Sequence, residues 1–317
     1  MDQQLKKNVI SLTALQMGNY LVPLITLPWM TRVLGPDGYG RLGFATAIIS
    51  YFVLLTEWGF NLSGTRDVAI ARDLLTVRSR IFWQVVFARA SLGVLGVVLL
   101  TLLIFGIPRL GDNALLLGIT FVGVLAAVLS PVFYLQGVER VASMAGTNLI
   151  VKFLSVPLIL TFVQDTDGLY VAALIQSMVL LMSAEINFWV LMRSGEIAFI
   201  RPNVSEVFTE IKASASLFFS TAAVSLYTNS STAILGFVAS DKAVGVFLAA
   251  YTVVRAALGL MGPVSQALFP RVSYLLKHDR GRAEQLLGRL FVLQSGLGLV
   301  FSLLHIVTGK QIGRAHV

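Results

Sequence analysis

Three cations and one carboxylate stand alone in otherwise uncharged stretches of this chain. Arg89 is the sole charged residue of 81–107, Lys152 of 141–163, Arg255 of 243–270 and Glu185 of 168–192. A charged side chain at mid-membrane costs about 2.5–3.5 kcal/mol on insertion scales, so it is retained where it faces a cavity or a partner. Lys152 lies twelve residues beyond Arg140, ~18 Å along a helix, and Arg255 is equally deep in its stretch. Both are too central to reach an interface easily. Arg89 and Glu185 are roughly 12–14 Å from the nearer end, within reach of the interface or of each other. Lys is a point charge and Arg a planar fork, and both suit phosphate oxygens. Lys152, Arg255 and Arg89 therefore read as the lining of a cationic cavity for a phosphate-bearing ligand. Glu57, one turn from the end of its apolar stretch beside Trp58, and Glu185 are the candidates for proton or cation coupling.

Apolar helices must position these charges. The chain has 317 residues, 56% hydrophobic and 13% charged, with mean hydropathy +0.81. Soluble domains carry about 25% charged residues, and a single soluble core stops growing near ~250–300 residues. A soluble enzyme and a nucleic-acid-binding module are excluded, so the net charge of +8 is a topology signal and no nucleic-acid partner is expected. With no cysteine, thiolate chemistry is absent. Stretches of about 20 apolar residues suit a bilayer core. They predict an all-α polytopic membrane protein with spans at 9–31, 41–62, 81–107, 114–136, 141–163, 168–192, 214–237, 243–270 and 289–308. Turn sequences separate them at Gly35–Gly40, Pro108–Asn113 and Gln164–Gly168.

With the N-terminus in the cytoplasm, fifteen Lys and Arg fall on the inner side and four (Arg32, Arg41, Arg109, Lys242) on the outer side. The positive-inside rule sets that orientation. The first span is too long for a cleaved signal peptide and reads as an anchor. In 203–213, Val204, Val207, Phe208 and Ile211 form one apolar stripe, which predicts a short amphipathic helix on the inner membrane surface. Spans one to three and seven to nine begin at offsets of 205, 202 and 208 residues, the spacing of a parallel repeat of six-helix units. The expected organisation is a six-helix lobe over 1–192, a cytoplasmic linker over 193–213 and a partial second lobe over 214–310. The final residues 311–317 match the in-frame translation of a sequencing-library adapter and are given no role.

Residues 8–73 carry a pattern of their own. Asn8-Val9-Ile10-Ser11-Leu12 opens it, and Gln16-Met17-Gly18-Asn19-Tyr20 through Leu27-Pro28 continues it. Arg32-Val33-Leu34-Gly35-Pro36-Asp37-Gly38-Tyr39-Gly40 and Glu57-Trp58-Gly59-Phe60-Asn61-Leu62-Ser63-Gly64-Thr65-Arg66 complete it. This resembles the Wzx-type O-antigen flippases, the polysaccharide-transport branch of the multidrug/oligosaccharidyl-lipid/polysaccharide exporter superfamily. The resemblance implies twelve helices in two lobes and alternating access. It also implies transport of an undecaprenyl-pyrophosphate-linked oligosaccharide across the bacterial inner membrane. Membrane lipids and other polysaccharide-assembly proteins are the further partners implied. The nine spans fall about three helices short of that design. The cationic cavity would then receive the pyrophosphate.

Two other readings stand beside it. A drug/cation antiporter of the same superfamily calls for acidic cavity residues, against the balance of three cations to one carboxylate. A membrane glycosyltransferase or O-antigen polymerase needs catalytic residues on a sizeable external loop, and the external loops here are short. Neither a Gly-rich phosphate loop nor H-E-x-x-H is present, and His278 and His305 lack ligand partners at useful spacing. Neither a cofactor nor a metal is expected, and the chain is not expected to be an enzyme. Asp165-Thr166-Asp167 matches D-x-D but sits in a tight connection ending at Gly168, where it reads as a turn.

Overall fold

The computed structural model describes residues 3–256 and scattered positions from 259 to 296. The predicted ninth span, Pro263, His278, His305 and the tail 311–317 lie largely or wholly outside the described residues. Within them the chain is helical, with short connections and no strand. The helices are α1 (Gln3–Val33), α2 (Gly35–Glu57), α3 (Phe60–Ile70), α4 (Leu75–Gly106), α5 (Pro108–Gly111), α6 (Ala114–Thr120), α7 (Val122–Leu129), α8 (Val132–Gly137), α9 (Val141–Phe162), α10 (Leu169–Arg193) and α11 (Val204–Val238). A further helix begins at 241 and is described to 256. Five helical segments are long and apolar enough to cross a membrane: Gly35–Ile70, Leu75–Gly106, Ala114–Gly137, Met144–Phe162 and Thr166–Arg193. The protein is an all-α polytopic membrane protein.

The breaks in these helices have local causes. The predicted span 41–62 ends early, because Trp58 (φ 43°) and Gly59 (φ 76°) are both left-handed. That conformation costs a non-glycine residue ~1–2 kcal/mol, so Trp58 must be held from outside. Its indole Nε1 donates to the Ile211 carbonyl at 2.8 Å, and its ring stacks on Phe218 at 4.0 Å. The predicted span 114–136 forms as three pieces, α6, α7 and α8. Pro131 has no N–H, so the Ala127 carbonyl loses its helical partner and the chain opens at extended Ser130. The stripe predicted over 203–213 is not a separate surface helix. Asn203 and Glu206 form a capping box, and the 35 residues from Val204 run unbroken into the seventh span. Val207 and Ile211 pack on the core, whereas Val204 and Phe208 are exposed.

Packing pairs α1 with α9, α10 with α7 and α9, α3 with α8, and α11 with α2 and α4. Two clusters of buried side chains result. One lies toward the end of the bundle that carries the Gly35, Pro108 and Gln164 turns, and includes Met30, Phe44, Ile48, Phe52, Leu116 and Val163. The other lies toward the arginine-rich end and includes Phe60, Phe82, Phe133, Tyr134 and Leu191. Val94, Val98, Leu102 and Phe105 on α4, and Ile150 and Leu154 on α9, point outward. In water such a surface would aggregate, whereas in a bilayer it is solvated by acyl chains.

At the turn end, two backbones meet almost without side chains between them. A methyl group on Gly40 would run into the Asp241 carbonyl, and one on Gly245 into the Pro36 carbonyl. Arg109 spans the same junction, donating to the Gly236 carbonyl at 3.1 Å and pairing with Asp241. At the arginine-rich end the backbone at Gly59 also runs close to that of Phe218, and side chains add hydrogen bonds. Ser63 and Ser214 share a hydrogen bond at 2.8 Å, Ser214 donates to Glu210 at 3.2 Å, and Tyr134 donates to the Glu196 carbonyl at 3.0 Å.

Candidate functional site

A cavity of about 840 Å³ opens among α1, α2, α7, α9, α10 and the helix that begins at 241. Each wall is a stripe at helical spacing. On α2 the stripe is Tyr39, Gly43, Thr46, Ser50, Val53 and Glu57; on α9 it is Asn148, Lys152 and Ser155; on α10 it is Gln176, Ser183 and Asn187. Such residues recur every three or four positions, which puts their side chains on one face. Polar faces that would be intolerable against lipid are thereby turned to the inside.

Lys152 and Arg255 both line this cavity, together with Glu57. These are its charged lining residues among the described residues. Lys152 Nζ donates to Asn19 Oδ1 at 2.7 Å. An ammonium has three donors, and no carboxylate pairs with this one among the described residues. Arg255 lies over the Tyr251 ring at 5.4 Å, with its side chain exposed. Two cations beside one carboxylate make a cavity of net positive charge that can take an anion.

Arg89 and Glu185 are not brought to it. Arg89 is completely buried behind the cavity wall. Its Nη1 donates to the Ala127 carbonyl at 3.1 Å and the Ser130 carbonyl at 2.8 Å, and Nη2 donates to Asn61 Oδ1 at 2.8 Å. The guanidinium also lies 5.0 Å from the centre of the Phe133 ring. Two of these acceptors are the carbonyls freed by the Pro131 break, so Arg89 closes the gap between α7 and α8. Its Nε stays without a hydrogen-bond partner among the described residues. Glu185 is exposed on α10, one residue beyond the lining Ala184.

Asn19 was legible as a polar group within the first apolar span. Asn148, Gln176 and Asn187 were not singled out, although their spacing from Lys152 and from one another carries the signal. Asp165 behaves as a turn residue: its carboxylate accepts from the Gly168 N–H at 2.9 Å and caps the short 3-10 turn Thr166–Gly168. No group of three or more His, Cys, Asp or Glu placed to hold a metal occurs among the described residues.

Helices of bilayer length with a lipid-compatible exterior and a charged polar cavity define a class: membrane-spanning proteins that hold a polar ligand within the helix bundle. Comparison with known proteins narrows this class. The chain belongs to the polysaccharide biosynthesis protein family, which matches residues 5–276. Two relatives bear the name "putative O-antigen transporter". The one from Escherichia coli (strain K12) is 31% identical over 300 residues, covering 95% of this chain and 72% of its own length. The one from Shigella dysenteriae is 26% identical over 273 residues, covering 86% and 68%. No solved structure matches the chain at a significant level.

Proposed function

We propose that this protein is an O-antigen flippase. It would move an undecaprenyl-pyrophosphate-linked oligosaccharide across the bacterial inner membrane by alternating access between two lobes, with its N-terminus and arginine-rich end in the cytoplasm. The observation that carries this reading is the meeting of Lys152, Arg255 and Glu57 in one cavity between membrane helices. Each phosphoryl group of a lipid pyrophosphate carries one negative charge, so Lys152 and Arg255 match the headgroup one for one. The polar walls accommodate the sugar, and the undecaprenyl chain stays in the surrounding lipid. The names of the relatives, transporters rather than enzymes, agree with a cavity that binds and releases its ligand unchanged. Glu57 shares the cavity with the cations. It is the better placed of the two coupling candidates, since Glu185 lies off the lining.

The test is complementation by the protein encoded at the native locus, in a strain lacking its own O-antigen flippase. Lys152→Ala and Arg255→Ala should each lower surface O-antigen at least about tenfold at unchanged membrane abundance, the loss expected for one charge-assisted contact. Lys152→Arg should retain most of the activity. Full activity in both alanine variants would discard the cationic site.

A further inference from the structure

Lys152 is held by a side chain from another helix. Asn19 stands on the face of α1 that turns Val22, Pro23 and Thr26 to the cavity. Gly18 beside it lets α9 come close, since a Cβ there would lie 2.3 Å from Leu149 Cδ2. Across this close approach Asn19 Oδ1 accepts from Lys152 Nζ at 2.7 Å. An ammonium offers donors only, so the amide must turn its oxygen toward Lys152, which leaves its own N–H donors on the other edge.

Two properties of this contact go beyond packing. One is the hold itself. Lysine has a flexible four-carbon stem, and a side chain already held in place loses less freedom when it takes a ligand. The other is charge. At the turn-end junction, where a half-buried cation joins two helices, the protein supplies a carboxylate: Arg109 pairs with Asp241. Such a pair is neutral as a whole. At Lys152 an amide stands in that place, and its oxygen accepts the hydrogen bond without cancelling the charge. Aspartate has the size and shape of asparagine and would keep the bond, but it would also set an anion against an incoming phosphoryl group. We infer that Asn19 is a positioning residue for Lys152, and that its neutrality is what lets the cavity prefer two phosphoryl groups over one. The inference rests on the flippase reading above.

The experiment measures binding of two lipids to the protein encoded at the native locus, held in lipid nanodiscs. The probes are undecaprenyl-pyrophosphoryl-glucose and undecaprenyl-phosphoryl-glucose, which carry two negative charges and one. The unmodified protein should prefer the pyrophosphoryl lipid at least about tenfold, the gain from one further charge-assisted contact. Asn19→Asp should keep the parental melting temperature and membrane abundance, yet reduce that preference to about twofold or less. Asn19→Leu, neutral and of similar branched shape, should lower it about threefold through loss of the hold alone. A role in helix packing predicts the reverse order, because Asp retains the hydrogen bond to Lys152 and Leu does not. The Leu variant also covers the case in which the Asp variant fails to insert. Full preference in either folded variant, or a larger loss with Leu than with Asp, would overturn the positioning role alone. An unmodified protein that binds neither lipid, or both equally, would overturn the flippase reading with it.

Discussion

Arg89 and Lys152 are each the lone charge of an apolar stretch, yet their surroundings differ in kind. Arg89 is sealed off from the cavity, and its terminal nitrogens meet two backbone carbonyls and an amide oxygen. Lys152 meets one amide oxygen and faces an open volume. The first charge mends a helix that Pro131 has broken, while the second keeps donors free for something that enters. A buried cation is therefore read by how many of its donors are already taken.

The largest expected effect separates these two environments. Arg89→Ala strands the Ala127 and Ser130 carbonyls and Asn61 in a dry site, and removing one partner of a buried charged cluster costs about 3–5 kcal/mol. That variant should fail to accumulate in membranes, or should lose most of its thermal stability in detergent. Lys152→Met should leave the melting temperature within a few degrees of the parent while removing headgroup binding. Equal destabilisation by both would erase the distinction drawn between them.

A second pair of predictions concerns the two ends of the bundle. At the turn end, Gly40→Val should force the backbones of α2 and the helix from 241 apart, at about 1–3 kcal/mol for overpacking. The readout is faster labelling of a cysteine introduced at that junction. At the arginine-rich end, Trp58→Phe keeps a ring against Phe218 but loses the hydrogen bond to Ile211, which should cost about 1 kcal/mol in a thermal shift.

The smallest effect concerns pH. Glu210 precedes the apolar part of α11, and its carboxyl is raised above the usual value. Burial is the main cause, Asp67 adds to it, and the Ser214 hydrogen bond and Arg66 oppose it. The folded chain thus holds this proton more tightly than the unfolded one does. The stabilisation is complete below the ordinary carboxylate pKa and is lost as pH rises through the raised value. Thermal stability should fall modestly on leaving acidic pH, and Glu210→Gln should flatten that dependence. An unchanged slope in the variant would remove Glu210 from the account.

Much of this was readable residue by residue. Apolar runs of bilayer length, separated by Gly, Pro and Asp turns, marked the five segments long and apolar enough to cross, from 41–62 to 168–192. The pairing of cations with a cavity was half legible. Depth set Lys152 and Arg255 apart, but charge type and isolation placed Arg89 in the same cavity, and Arg89 does not line it. The 203–213 stripe shows the same limit, because an amphipathic pattern has the same period whether the helix lies on a membrane or continues into one. The Asn148, Gln176 and Asn187 faces obeyed helical spacing too, yet isolated amides in apolar runs carry no mark of what lies across from them.

What the sequence determined by itself is the solvent: its hydropathy and charge content require a bilayer, and its local turn chemistry sets where the helices stop. What only the tertiary structure decided is the partner of each buried polar group. A helix face is set by neighbours in sequence, whereas what it faces is set by distant segments, as in Trp58 donating to the Ile211 carbonyl 153 residues away. Hydrogen bonding and Coulomb forces act across that distance in sequence only after packing has closed it. Whether a charge is a staple or a site is thus fixed when the helices assemble.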